Sequence, residues 1–172
     1  MKKSIYLITT IALLCSACGH GYIRPCCVAN VGARTTQLLA QRDSSAYMTR
    51  HITAVLKNDS ITLSGSGQPG SVGNNVLLDS IYIRFKFTDT GTYDLSNAKI
   101  AYATILGPDA NIEPNSVITW YKLDNSATNT LKVAQYDKGN NWVVGYFNLH
   151  FLANGQPDVS FSNGVFYASL KK

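Results

Sequence analysis

Glutamate is nearly absent from this chain. Glu113 stands alone, and acids total 10 against 15 lysines and arginines. General acid–base chemistry in a cleft needs two carboxylates held together. Here Asp43, Asp59, Asp89, Asp109, Asp124 and Asp137 fall among turn residues, where aspartate accepts hydrogen bonds from its own backbone. Histidine is scarce too. His20, His51 and His150 show neither H-x-H nor H-E-x-x-H spacing, so no metal and no cofactor is read from them. There is no G-x-S-x-G elbow, and Gly65-Ser66-Gly67 is the nearest approach to one. Cysteine stops at Cys27, which excludes a disulfide framework across the body of the chain. The adjacent pair Cys26-Cys27 lies closer than the usual Cα separation of about 4.4–6.8 Å, and reads as two thiols in a tether, the alternative being a vicinal disulfide or a contact between chains.

Long apolar runs are missing as well. The longest near the start, Ile5 to Leu14, is half the roughly 20 residues a spanning helix needs. Arg24, Arg34, Arg42 and Arg50 are strung out without clustering, which excludes a nucleic-acid partner. No stretch sustains a 3.6-residue apolar period. The nearest helix candidate is Thr35 to Arg42, which has no glycine stop after it. Without a helix-length connector, parallel βαβ units are excluded. No helix follows the glycines of Gly65 to Gly73, so they form no phosphate cradle.

What is present begins with an export signal. Lys2 and Lys3 are followed by the short apolar run and then by Ser16-Ala17-Cys18. The arrangement resembles the lipobox of bacterial lipoproteins, although Cys15 occupies the position where that motif prefers leucine. The resemblance implies lipidation of Cys18 and anchoring to a membrane through the N-terminal lipid. No acidic stretch follows Cys18 in Gly19 to Arg24, which points to an outer-membrane lipoprotein facing the periplasm. Residues 1–17 are then a signal peptide, 18–36 a lipidated flexible tether rich in Gly, Pro, Ala and Thr, and 37–172 a β-domain.

The domain reads as short strands between turns. In Ile81 to Thr88, Ile81, Ile83, Phe85 and Phe87 alternate with Tyr82, Arg84, Lys86 and Thr88, the period of a half-buried strand. His51–Leu56 and Ser60–Ser64 flank a hairpin turn at Lys57-Asn58-Asp59. Gly65 to Asn75 reads as a glycine-rich loop. Further strands are predicted at Lys99–Ile105, Val117–Leu123, Thr130–Tyr136 and Trp142–Leu152, and as two pieces, Val159–Ser162 and Val165–Leu170, around Asn163-Gly164. About nine or ten such strands, with turns every 8–12 residues or so, predict an all-β antiparallel sandwich or flattened barrel.

Gly91-Thr92-Tyr93-Asp94-Leu95 with Ala101-Tyr102, then Gly145 to Phe151 and Val159 to Phe166, resemble motifs of an uncharacterised family of small lipoproteins from Bacteroidetes-type bacteria. The resemblance extends over about residues 38–170 and is loosest at Ala40 to Met48, where the family's Gly and Trp are missing. It implies an exported, lipid-anchored, β-rich domain and carries no catalytic residues. The shared positions have a structural meaning of their own. Gly91 and Gly164 are expected at positive φ, and Gly145 at a bulge or close approach. Tyr93, Phe147, Phe151 and Phe166 are expected in the core. With no catalytic constellation, the chain reads as a binding or interaction module for a glycan, lipid or protein. Trp120, Tyr121, Tyr136, Trp142 and Tyr146 are its candidate ligand contacts. The alternatives are an envelope hydrolase acting on glycan or ester through a carboxylate or serine near the Gly65 to Asn75 segment, and a purely structural envelope lipoprotein.

Overall fold

The computed structural model describes residues 36–49, 51–72, 75–107 and 116–171. The signal peptide, Cys18, and the Cys26-Cys27 pair lie outside the described residues, as does the tether except for Thr36, whose Oγ1 accepts a hydrogen bond from Ser169 N–H at 3.1 Å. The described chain is all-β, with eleven strands: β1 (Gln37–Arg42), β2 (Ser45–Met48), β3 (His51–Lys57), β4 (Ser60–Val72), β5 (Asn75–Lys86), β6 (Gly91–Tyr93), β7 (Lys99–Gly107), β8 (Val117–Leu123), β9 (Thr130–Asp137), β10 (Trp142–Leu152) and β11 (Val159–Ser169). Nine of them form one path in the order β2-β1-β11-β10-β8-β7-β5-β4-β3, and β9 pairs with β10 and β6. Every strand pairing is antiparallel. The sheet curls into a half-barrel. Past β11 the chain reaches β3, where Lys171 N–H donates to Ala54 O at 2.9 Å and Leu56 N–H donates to Lys171 O at 2.8 Å.

Alternation builds the core. In β5 the inward phase Ile81, Ile83 and Phe85 is buried while Arg84 and Lys86 are exposed, as the sequence pattern predicts. Tyr102, Phe151 and Phe161 meet at the centre, with ring centroids 5.1–5.8 Å apart. Tilted and edge-on contacts of this kind add about 0.5–1.5 kcal/mol each beyond area burial. Phe147, Phe151 and Phe166 lie in the core as expected, and Tyr93 packs half-buried against it.

Three expectations need correction. The nearest helix candidate, Thr35 to Arg42, is strand β1 from Gln37 onward, where the strands were expected to begin: Leu38 and Ala40 point inward two residues apart, and Leu38 pairs with Phe166. Tertiary pairing overrides local propensity there. The glycine-rich stretch is not a loop, because β4 runs on to Val72 and β5 already starts at Asn75. Its glycines mark close approach; a Cβ on Gly67 would stand 2.8 Å from the Asp79 carboxylate. Finally, β11 is a single strand with a bulge. Asn163 takes φ 51°, registers shift beside it on both neighbours, and its N–H donates to Asn148 Oδ1 at 2.9 Å. Gly164 is therefore required by the Phe147 ring, which a Cβ would strike, and not by a turn with positive φ. Gly145 does sit at a register shift, and a Cβ on it would run into the Phe166 ring and the Lys132 carbonyl.

Candidate functional site

Most described acids are engaged by nearby backbone. Asp43 accepts from Ser160 N–H at 2.9 Å, Asp89 from Thr90 at 2.8 Å, Asp94 from Ser96 at 2.9 Å, Asp124 from Ser126 at 2.8 Å and Asp137 from Gly139 at 2.9 Å. Hydrogen bonds from Ser96 and Ser126 hold the Asp94 and Asp124 carboxyls below the ordinary carboxylate range. Four of these groups close turns, and Asp43 ties the β1–β2 turn to β11. His150 lies opposite Ser160 in the β10–β11 register, but Ser160 Oγ donates its proton to Asp43 Oδ1 at 3.2 Å. Among the described residues no three His, Cys, Asp or Glu side chains gather to hold a metal.

Asp79 is the exception among the acids, at 1% exposed. Tyr47 Oη donates to its Oδ1 and Tyr102 Oη to its Oδ2, each at 3.0 Å. Gly67 N–H donates to it as well, and the Arg42 charge lies near. Desolvation outweighs all four and raises its pKa above the ordinary carboxylate value. Burial also pushes both phenols upward, with the Asp79 charge adding to it. Arg42 sits with its guanidinium carbon 5.5 Å from the Tyr102 ring centroid, and its buried Nε has no hydrogen-bond partner. This is a polar tie across the core, joining β2, β5 and β7 out of reach of a ligand. Its sequence signal is phase: Asp79 shares the inward period of Ile81, Ile83 and Phe85.

The five candidate aromatics do not form one site. Trp120 is 68% exposed on the outer face of β8. Its neighbour Tyr121, at 7% exposed, is a core residue, with its ring centroid 5.3 Å from that of Tyr102, so it is withdrawn as a ligand contact. Tyr136 is half-buried on the inner face, edge-on to Phe87 at 4.9 Å. Trp142 and Tyr146 are half-buried on the outer face of β10, beside β9 and β11. There Tyr146 pairs with Val165, which is buried.

Around Trp120 the register assembles a patch that sequence reading missed. Leu78, Ile105 and Ile118 pair directly across β5, β7 and β8, on the same outer face and one step along from Trp120. Ile118 is exposed, and Leu78 and Ile105 are half-buried. On the other side of Trp120, the exposed Leu152 of β10 pairs with Lys122. Ala103, opposite Trp120, is buried. The signal for this patch lies in β8, where Val117 and Ile118 are consecutive and both exposed, so alternation fails at the start of the strand. Two open clefts flank the same sheet. One, of about 540 Å³, is lined by Thr36, Ile52, Thr53, Ser64, Ser66 and Ser80. The other, of about 240 Å³, is lined by Ser60, Arg84, Lys86, Asn97 and Lys99. Both offer hydroxyls or cations.

No protein-family model, curated protein or solved structure matches this chain.

Proposed function

We propose that this chain is a lipid-anchored binding module of the cell envelope, tethered through Cys18 and engaging its ligand with the outer sheet face around Trp120. The lipobox-like Ser16-Ala17-Cys18 and the lack of an acidic stretch after it support an outer-membrane lipoprotein facing the periplasm. The observation that carries the binding role is where the apolar surface lies. Five large hydrophobic side chains are exposed among the described residues: Met48 on β2, and Val117, Ile118, Trp120 and Leu152 on β8 or the adjoining end of β10, of which Ile118, Trp120 and Leu152 share the outer face. A folded domain rarely leaves such a contiguous patch bare without a use for it.

A thermal-shift series on the full chain tests this, with envelope glycans, lipids and peptides as ligands. One ligand class is expected to raise the wild-type Tm by roughly 5–10 °C near saturation. Trp120→Ala is expected to melt with the wild type when unliganded, since the ring is exposed, and to lose the ligand-induced rise. No shift with any class, or a shift indifferent to Trp120→Ala, overturns the assignment. Fatty-acid labelling that survives Cys18→Ser overturns the anchor.

A further inference from the structure

The outer face of β3, β4, β5, β7 and β8 has a one-sided charge. Cross-strand registers place Lys57 and Lys86 in one row, Arg84 and Lys99 in the next, and Lys122 in the row after that. All five are exposed. No acid or side-chain amide shares the outward phase among the described side chains of these strands: Asp79 points inward, Asn75 shares its phase at the exposed start of β5, and the other described acids lie in turns or at strand ends. The next two rows hold Trp120, then Leu78, Ile105 and Ile118. Successive rows are about 7 Å apart, so Lys122 lies one row from Trp120, within a Debye length of about 8 Å at physiological salt. The face thus grades along its strands from cationic to apolar, with a tryptophan at the boundary.

From this we infer that the face seats on an anionic lipid bilayer surface, an inference that rests on reading the Trp120 face as the binding face. Trp120, Ile118 and Leu152 enter the headgroup zone, and Lys122, Lys99, Arg84, Lys86 and Lys57 face the lipid phosphates. Tryptophan favours that zone because its ring is apolar and its N–H is polar. Lysine and arginine stems lie along apolar surface while their charges reach the phosphates. Four of the five cations are lysines, a residue depleted in protein–protein interfaces, which argues against a protein occupant. A neutral glycan is disfavoured because the described outward side chains of these strands include no carboxylate or amide to fix sugar hydroxyls; one amide, Asn97 in the turn before β7, lines the cleft beside Arg84, Lys86 and Lys99. A sheet bearing charge of one sign beside a bare aliphatic patch complements anionic headgroups over an acyl layer.

The two tryptophans make the test direct, because each can be the only reporter. Full chain carrying Cys18→Ser, with either Trp142→Phe or Trp120→Phe, is mixed with phosphatidylcholine vesicles with and without phosphatidylglycerol, their acyl chains brominated. With phosphatidylglycerol present, Trp120 emission is expected to shift to the blue and be quenched, while Trp142 is left unchanged. The apolar segment at the N-terminus is common to both variants, so a quench caused by it reaches both reporters alike. Replacing Arg84, Lys86 and Lys99 together by Gln, all exposed positions, is expected to lower vesicle partition about a hundredfold, from about fivefold per cation. Equal quenching of the two tryptophans, partition indifferent to phosphatidylglycerol, or a triple variant that binds like its parent overturns the inference. If it fails while a Trp120-dependent thermal shift with a glycan or peptide persists, the membrane surface falls and the binding module stands. If both fail, both fall.

Discussion

Asp79 sets how this protein answers to pH. Its carboxyl is buried, and its pKa in the folded chain lies above the ordinary value of 3.8. The folded state therefore holds this proton more tightly than the unfolded state does. The contribution to stability is complete below the unfolded pKa and is lost as pH rises through the raised folded value. Asp94 and Asp124 act in the opposite sense, because their pKa values are lowered, so the melting curve of the wild type alone mixes the two trends. Comparison with Asp79→Asn isolates the buried group. The Tm difference between this variant and the wild type is expected to move in favour of the variant as pH rises from acid to neutral. A flat difference rejects the raised pKa. Asp79→Ala instead leaves the Tyr47 and Tyr102 hydroxyls without their acceptor and is expected to cost roughly 3 kcal/mol in denaturant titrations. The residue was readable from its inward phase, but its partners were not. Tyr47 and Tyr102 stand 32 and 23 positions away, and only sheet order brings them to one carboxylate.

Among the elements, turns followed the local chemistry more closely than strand ends did. The β3–β4 hairpin turns at Asn58-Asp59, both with positive φ, the geometry of a two-residue type I′ loop. Glycine is preferred to aspartate at the second of these positions. Asp59→Gly is expected to stabilise the fold by about 0.5 kcal/mol, read as a higher Tm, and a lower Tm refutes the turn assignment. The bounds of β8 and β10 were legible to the residue, although alternation fails at Val117 and Ile118. The far end of β4 and the continuity of β11 were not. Glycine marks turns and close approaches alike, and nothing local distinguishes Gly67 beside Asp79, or Gly164 beneath Phe147, from a turn glycine.

For the molecule as a whole, the C-terminal residues bring the two ends of the curled sheet together. Leu170 is buried, and Lys171 exchanges backbone hydrogen bonds with β3 at Ala54 and Leu56. Ending the chain after Ser169 removes one leucine from the core and two bonds from the closure. It is expected to cost about 3–5 kcal/mol in denaturant titrations and to speed amide exchange at Leu56. Exchange at Leu56 unchanged by the truncation refutes the closing role. The same curl gives the sheet two different outer surfaces. One is cationic and apolar around Trp120. The other carries the half-buried Trp142 and Tyr146.

Alternation of apolar residues was enough to determine an all-β antiparallel chain and the inward faces of its main strands, because burial with period two is written residue by residue. The candidate patch was half visible in the same way: Trp120 stood out, whereas Leu78, Ile105 and Ile118 did not. Which strands lie side by side, and therefore which outward residues share a surface, was decided by the tertiary structure alone. Local sequence specifies which face a side chain takes; its neighbours on that face come from distant segments, selected by how the whole sheet buries its core.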